Sequence, residues 1–114
     1  MQTVPLNESA SVVLDGSGNG TARVGPTGHG ITWHPAVASV RVNTNDNEAQ
    51  VAIYVGSTAT AENFADASYV GSSGNSSDSV AAAEVRLGSY VWAVWTGGDP
   101  GSQATLTVTG SQDI

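Results

Sequence analysis

The chain has 114 residues, 39% of them hydrophobic and only 11% charged, with no cysteine. That length supports one domain with one hydrophobic core, and the missing cysteines exclude a disulfide framework or a thiolate metal site, so packing must supply the stability. Ten acidic residues against three arginines and no lysine give a formal net charge of −7, which leaves too little positive charge for a nucleic-acid or anionic-membrane surface.

The opening, MQTVPLNESASVV, lacks a basic segment followed by a long apolar one, and no later apolar run approaches membrane-spanning length. The expectation is a soluble protein without a classical export signal. In 9-SASVVLD-15, Ala10, Val12 and Leu14 share one face of a strand. Across the glycine turn 15-DGSGNG-20, Ala22 and Val24 continue that face, which predicts a hairpin. The turn itself places Asp15, Ser17 and Asn19 at alternate positions, like the opening of a calcium loop. The glutamate such a loop requires is replaced by Pro26, so a hairpin loop is the reading adopted.

The next turn cluster, 25-GPTGHG-30, carries His29, and His34 follows five residues later. Five apart on a strand means opposite faces, which argues against a metal pair. The expectation is a solvated His29 and a His34 packed beside Trp33. Ala38, Val40 and Val42 then alternate with Ser39, Arg41 and Asn43, and Val51, Ile53 and Val55 alternate in the strand after 43-NTNDNE-48. Tyr54 falls on the opposite, exposed face of that strand, and Tyr69 on the polar-alternating face of a later one. The segments 59-ATAENFAD-66 and 80-VAAAEVR-86 each have room for one helical turn, and 71-GSSGNSSD-78 reads as the most mobile internal loop.

The strand Tyr90–Thr96 is apolar on both faces. Val91, Ala93 and Trp95 share one; Tyr90, Trp92 and Val94 share the other. One face is internal and the second is covered by a loop, another subunit or a ligand, and alternation does not choose between them. Core is the expected role of Trp92 and Trp95. After 97-GGDPGS-102 the last strand sets Ala104, Leu106 and Val108 against a solvated face of Gln103, Thr105, Thr107 and Thr109. Trp33, Pro35 and the turn 97–101 are expected to shape one end of the domain.

Together these strands describe a single all-β domain over 1–114, an antiparallel two-sheet β-sandwich of jelly-roll or Ig-like type with about seven or eight strands. Residues 1–7 and 110–114 are expected at its periphery. No internal repeat or linker interrupts it. No Ser-His-Asp arrangement or G-x-S-x-G elbow is present. Asp15, Asp46, Asp66, Asp78, Asp99 and Asp113 fall in expected turns, loops or the tail, where hydrated carboxylates cap turns rather than catalyse. An enzyme is therefore not expected, and neither a metal nor another cofactor. Six aromatics, Trp33, Tyr54, Tyr69, Tyr90, Trp92 and Trp95, are the candidates for binding or interface.

The order of five segments, 12-VVLDGSGNGTARVGP-26, 31-ITWHPAVASVRVNT-44, 53-IYVGSTAT-60, 71-GSSGNSSD-78 and 87-LGSYVWAVWTGGDPGSQATLTVTG-110, resembles small virion structural proteins of actinobacterial phages and prophages. The resemblance covers most of the domain and its closing segment is the most specific part. It implies a capsid or tail accessory protein, made in the host cytoplasm and located in the virion, whose partners are capsid or tail proteins and copies of itself. No catalytic residues come with it. Leu87, Gly88, Tyr90 and 105-TLTV-108 are also similar to bacterial pre-peptidase-type β-sandwich domains, over the last quarter of the chain. The alternative function is a glycan-binding module for host attachment, with Tyr54, Tyr69 or a surface tryptophan stacking on sugar.

Overall fold

The computed structural model describes residues 2–43, 47, 49–70, 75–79 and 84–114, with 64–70 and 75–79 described by their backbone alone. Nine strands are present among the described residues: β1 (Thr3–Val13), β2 (Gly20–Val24), β3 (Thr32–Val42), β4 (Ala49–Gly56), β5 (Phe64–Val70), β6 (Asn75–Ser79), β7 (Val85–Arg86), β8 (Tyr90–Thr96) and β9 (Gln103–Asp113). The only helical element among those residues is a 3-10 turn at Ala61–Asn63, inside one of the two segments with room for a turn. In the other, residues 80–83 lie outside the described residues and Val85–Arg86 is a strand. Of the expected loop 71–78, residues 71–74 lie outside the described residues, while Asn75–Ser79 pairs with β3 from Val37 to Arg41. The serine and asparagine backbone serves a ladder there despite its turn-like composition.

The strands form two sheets with orders β1-β9-β3-β6 and β2-β8-β4-β5, with β7 paired to β3 beside Thr32 and Trp33. Every pairing is antiparallel. The pairs are nested: β1 with β9, β2 with β8, β3 with β6 and β7, β4 with β5. A long hairpin with its tip between β4 and β5, rolled so that β9 meets β3 and β8 meets β4, has this order. That is the jelly-roll form of the β-sandwich.

The nesting corrects one expectation. Ala22 and Val24 do reach the core, but β1 and β2 are no hairpin. They lie in different sheets, and residues 14–19 carry the chain across the sandwich. The shared apolar face is real because the two strands face each other across the core. The chain ends are part of the first sheet, at its β1 edge. Residues 3–7 pair with 109–113, and Gln2 and Ile114 exchange backbone hydrogen bonds of 3.1 and 2.9 Å.

The core lies between the layers. One sheet contributes Leu6, Ala38, Val40, Val42, Val85, Ala104, Leu106 and Val108, and the other Ala22, Val24, Ala49, Val51, Ile53, Val91, Ala93 and Trp95. In β3 the inward set would run out of phase, since Trp33 and Pro35 are odd and Ala38, Val40 and Val42 even. A bulge between Pro35 and Val37 resets it. Proline has no N–H to give the ladder, so its neighbourhood is where the register is cheapest to shift. Opposite Pro35 stands Gly110, where a Cβ would collide with the His34 carbonyl and meet the Ala36 nitrogen at 2.7 Å.

Trp95 is completely buried, and its indole N–H has no acceptor among the described residues. A buried, unpaired donor costs about 1–3 kcal/mol, which the ring's packing must offset. The expected outcome is an asymmetry between two variants in urea denaturation. Trp95→Ala should destabilise the protein by about 3–5 kcal/mol through cavity formation. Trp95→Phe should cost markedly less, because it discards the orphaned donor along with part of the ring. Equal losses would contradict the claim that ring packing at this site carries the stability.

Candidate functional site

The phase of β8 settles its two-faced sequence. Val91, Ala93 and Trp95 are buried inside; Tyr90, Trp92 and Val94 are half-buried on the outside of the second sheet. Trp92 therefore corrects the expectation of a core role, and Trp95 meets it. On that outer face Trp92 stands in register between Arg23 of β2 and Tyr54 of β4, and Tyr90 beside Gly56. Tyr90 and Trp92 meet edge-on at 5.6 Å between centroids and 73° between planes. The Arg23 guanidinium lies 4.1 Å from the Tyr90 ring centre and 5.1 Å from that of Trp92. The indole N–H of Trp92 donates to the Gly56 carbonyl at 3.0 Å.

Three of the six candidate aromatics, Tyr54, Tyr90 and Trp92, thus share one face, where Arg23 lies over Tyr90 and Trp92. The aromatic pair is worth about 0.5–1.5 kcal/mol and an exposed cation–π contact about 0.5–1 kcal/mol, enough to hold the side chains in place before any partner arrives. Arg23 could have been found from sequence by pairing β2 with β8, which needs the nested topology. Tyr69 belongs to β5, paired in register with Gln50, and its side chain lies outside those described. Trp33 is elsewhere, buried at 4% exposure and lining a cleft at one end of the sandwich. The turn 97–101 is at the opposite end, because Trp33 pairs with Gln112 whereas residue 103 pairs with Val13. The expectation that Trp33, Pro35 and this turn shape one end is therefore overturned.

The acidic residues serve the corners. One Asp15 carboxylate oxygen accepts from the backbone N–H groups of Ser17 at 2.8 Å and Asn19 at 3.0 Å, which lowers its pKa, Asn19 first. The Asn19 side-chain oxygen accepts from the Gly97 N–H at 3.2 Å. The calcium-like spacing thus serves as a turn cap and a bridge to the neighbouring corner. At Gly18 a Cβ would collide with the Gly98 carbonyl, so the two corners approach to backbone distance. Asp99, expected to be hydrated, is buried at 8% exposure. It accepts from the Asn47 backbone N–H at 2.7 Å and side-chain amide at 2.9 Å, tying the β3–β4 connection to the β8–β9 turn. Asp46 lies outside the described residues, as do the side chains of Asp66 and Asp78.

His34 is also placed differently from expectation. Its ring points away from Trp33 to the outer face of the first sheet, with 38% of the side chain exposed, and its Nε2 lies 2.9 Å from Asp113 Oδ2. Glu84 approaches Nδ1 at 3.9 Å and pairs with Arg86 at 3.1 Å. Asp113 is no free tail residue: the Thr3 hydroxyl donates to it at 2.7 Å, and this bond, followed by that to His34, lowers its pKa. His29 stays exposed in its loop. Among the described residues no three His, Cys, Asp or Glu side chains converge as a metal site.

No family model, curated protein or solved structure matches the chain.

A lowered folded-state pKa stabilises the fold above the unfolded carboxyl's ordinary value of 3.8 and ceases to do so as pH falls through the folded value. Asp113→Asn should therefore be less stable than the parent at pH 6, and the gap should close as the pH is lowered below about 4. Thermal unfolding across that range checks it. A gap that persists at pH 2 would contradict the assignment.

Proposed function

We propose that this chain is a non-catalytic structural protein of a bacteriophage particle, a capsid decoration or tail accessory protein. It docks on the particle's protein lattice through the outer face of its second sheet. The observation that carries the docking role is the prearranged row of Arg23, Trp92 and Tyr54 with Tyr90 beside it. Trp, Tyr and Arg are the residue types that dominate protein–protein hot spots, and rings already held in place lose little freedom on binding. The particle itself is suggested by the resemblance of the closing segment 87–110 and its four companions to virion proteins. A rigid jelly-roll sandwich without cysteine suits assembly in a reducing cytoplasm, and many symmetric copies make each modest contact count.

The guanidinium lying over Tyr90 and Trp92 weighs against sugar stacking on those two rings. A sugar would have to displace Arg23 from Tyr90 and Trp92 before stacking.

Co-sedimentation with phage particles lacking this protein tests the proposal. The parent should saturate a fixed number of sites, while Trp92→Ala and Arg23→Ala, each folded by circular dichroism, should bind at least about tenfold more weakly. A monomer that fails to join particles, or variants that bind like the parent, would overturn it.

A further inference from the structure

At the end of the sandwich away from the Asp15 and Asp99 corners, the layers part around a cleft of about 260 Å³. Its walls include Pro26 and Ile31 from the β2–β3 connection and Trp33 from β3, and its polar residues are Glu8, Thr27 and Gln112. Glu8 is the unusual member. Its neighbours two residues away on the same face of β1, Leu6 and Ala10, face the core, so the carboxylate shares the inward side of the sheet. It makes no ion pair or hydrogen bond among the described residues. No arginine is placed to serve it. Arg23 lies on the outer rings, Arg86 pairs with Glu84, and Arg41 is in register with Thr105 towards the other end.

The polar groups at the two ends of the cleft accept, while the Thr27 hydroxyl can serve either way. Gln112 gives its amide nitrogen to the Pro5 carbonyl at 3.2 Å, which leaves its side-chain oxygen as an acceptor, and the Glu8 carboxylate is acceptor-only. The two stand apart along the sheet. Glu8 is in register with Val108 and Gln112 with Val4, a separation of four residues, or about 13 Å of strand. A cleft with an acceptor towards each end and an indole, a proline and an isoleucine between suits an elongated ligand with an apolar stem and donors at both ends. A hexose ring is compact and brings as many acceptors as donors. The chain's net charge of −7 favours a cation in the same way.

We propose that this cleft receives an arginine side chain of a partner protein, with the guanidinium on Glu8 and the stem along Trp33 and Ile31. The backbone N–H of that arginine faces the Gln112 oxygen. Arginine is favoured over lysine because its planar head packs against an indole and donates to a carboxylate in one geometry. This site is separate from the outer face of the second sheet and does not depend on the virion reading.

The test is a titration of the full chain followed by amide and indole NMR shifts, with Nα-acetyl-L-arginine methylamide as probe. Saturable shifts should appear at Glu8, Thr27, Ile31, the Trp33 indole and Gln112. The uncharged citrulline analogue should bind about fivefold more weakly, and Glu8→Gln should reduce arginine to the citrulline level. Glu8 is exposed, so the variant should keep the parent's dispersed spectrum. The proposal is overturned if arginine gives no saturable shift, or if both probes bind the parent and the variant alike. It is equally overturned if methyl glucoside shifts these residues and arginine does not. A fourth contrary result is Glu8→Gln that self-associates with probe binding unchanged, which would make Glu8 only a guard on an edge strand.

Discussion

The fold turns on how one strand is seated. Strand β8 carries apolar side chains on both faces, and the sandwich has room for only one of them inside. Trp95 decides the outcome: in register it faces Gly20 on one side and Val51 on the other, so a fully buried indole lies next to a residue with no side chain. Seating Trp92 inside would shift every residue of β8 to the opposite face and turn Val91 and Ala93 outward with Trp95. The cost of the chosen seating is an unsatisfied indole N–H. Its consequence is an outer face where Tyr90 and Trp92 must be accommodated at the surface. Arg23 and the Gly56 carbonyl accommodate them.

The nested pairing explains how a chain without cysteine holds its ends. The first and last strands pair along eleven residues, so the termini lie in one ladder. The crossings between sheets are fastened by short-range chemistry: Asp15 caps its own loop, Asn19 reaches Gly97, and Asp99 holds Asn47. At the other end lies the cleft lined by Glu8 and Trp33. Asp15 and Asp99 are therefore structural parts of turns, while Glu8 stands apart because among the described residues no hydrogen bond or ion pair uses it.

What the sequence revealed, and what it concealed, follows from the information in alternation. Period-two patterning assigned Ala38, Val40, Val42, Val51, Ile53, Ala104, Leu106 and Val108 to the core correctly, because facing is a local property. It also identified β8 as the strand with two apolar faces. Alternation does not say which strand pairs with which. The shared face of Ala10, Val12, Ala22 and Val24 suited a hairpin and a sandwich crossing equally, and only the partners β9 and β8 distinguish them. The same gap hid Arg23, which becomes an aromatic partner only when β2 lies beside β8. Asp99 and His34 were misplaced for another reason. Turn composition suggests hydration, but packing of one corner against another buried the first. The strand's period sends His34 to the face opposite Trp33, where Asp113 waits. The β6 segment shows that a serine-rich run becomes a strand when an edge is there to pair with.

The central claim is that Trp95 is the internal ring and Trp92 the external one. Acrylamide quenching of two single-tryptophan variants tests it most directly, with the other two tryptophans replaced by phenylalanine in each. The account predicts blue-shifted, poorly quenched emission from Trp95 and readily quenched emission from Trp92 in the free protein. A shielded Trp92 with an accessible Trp95 would contradict it.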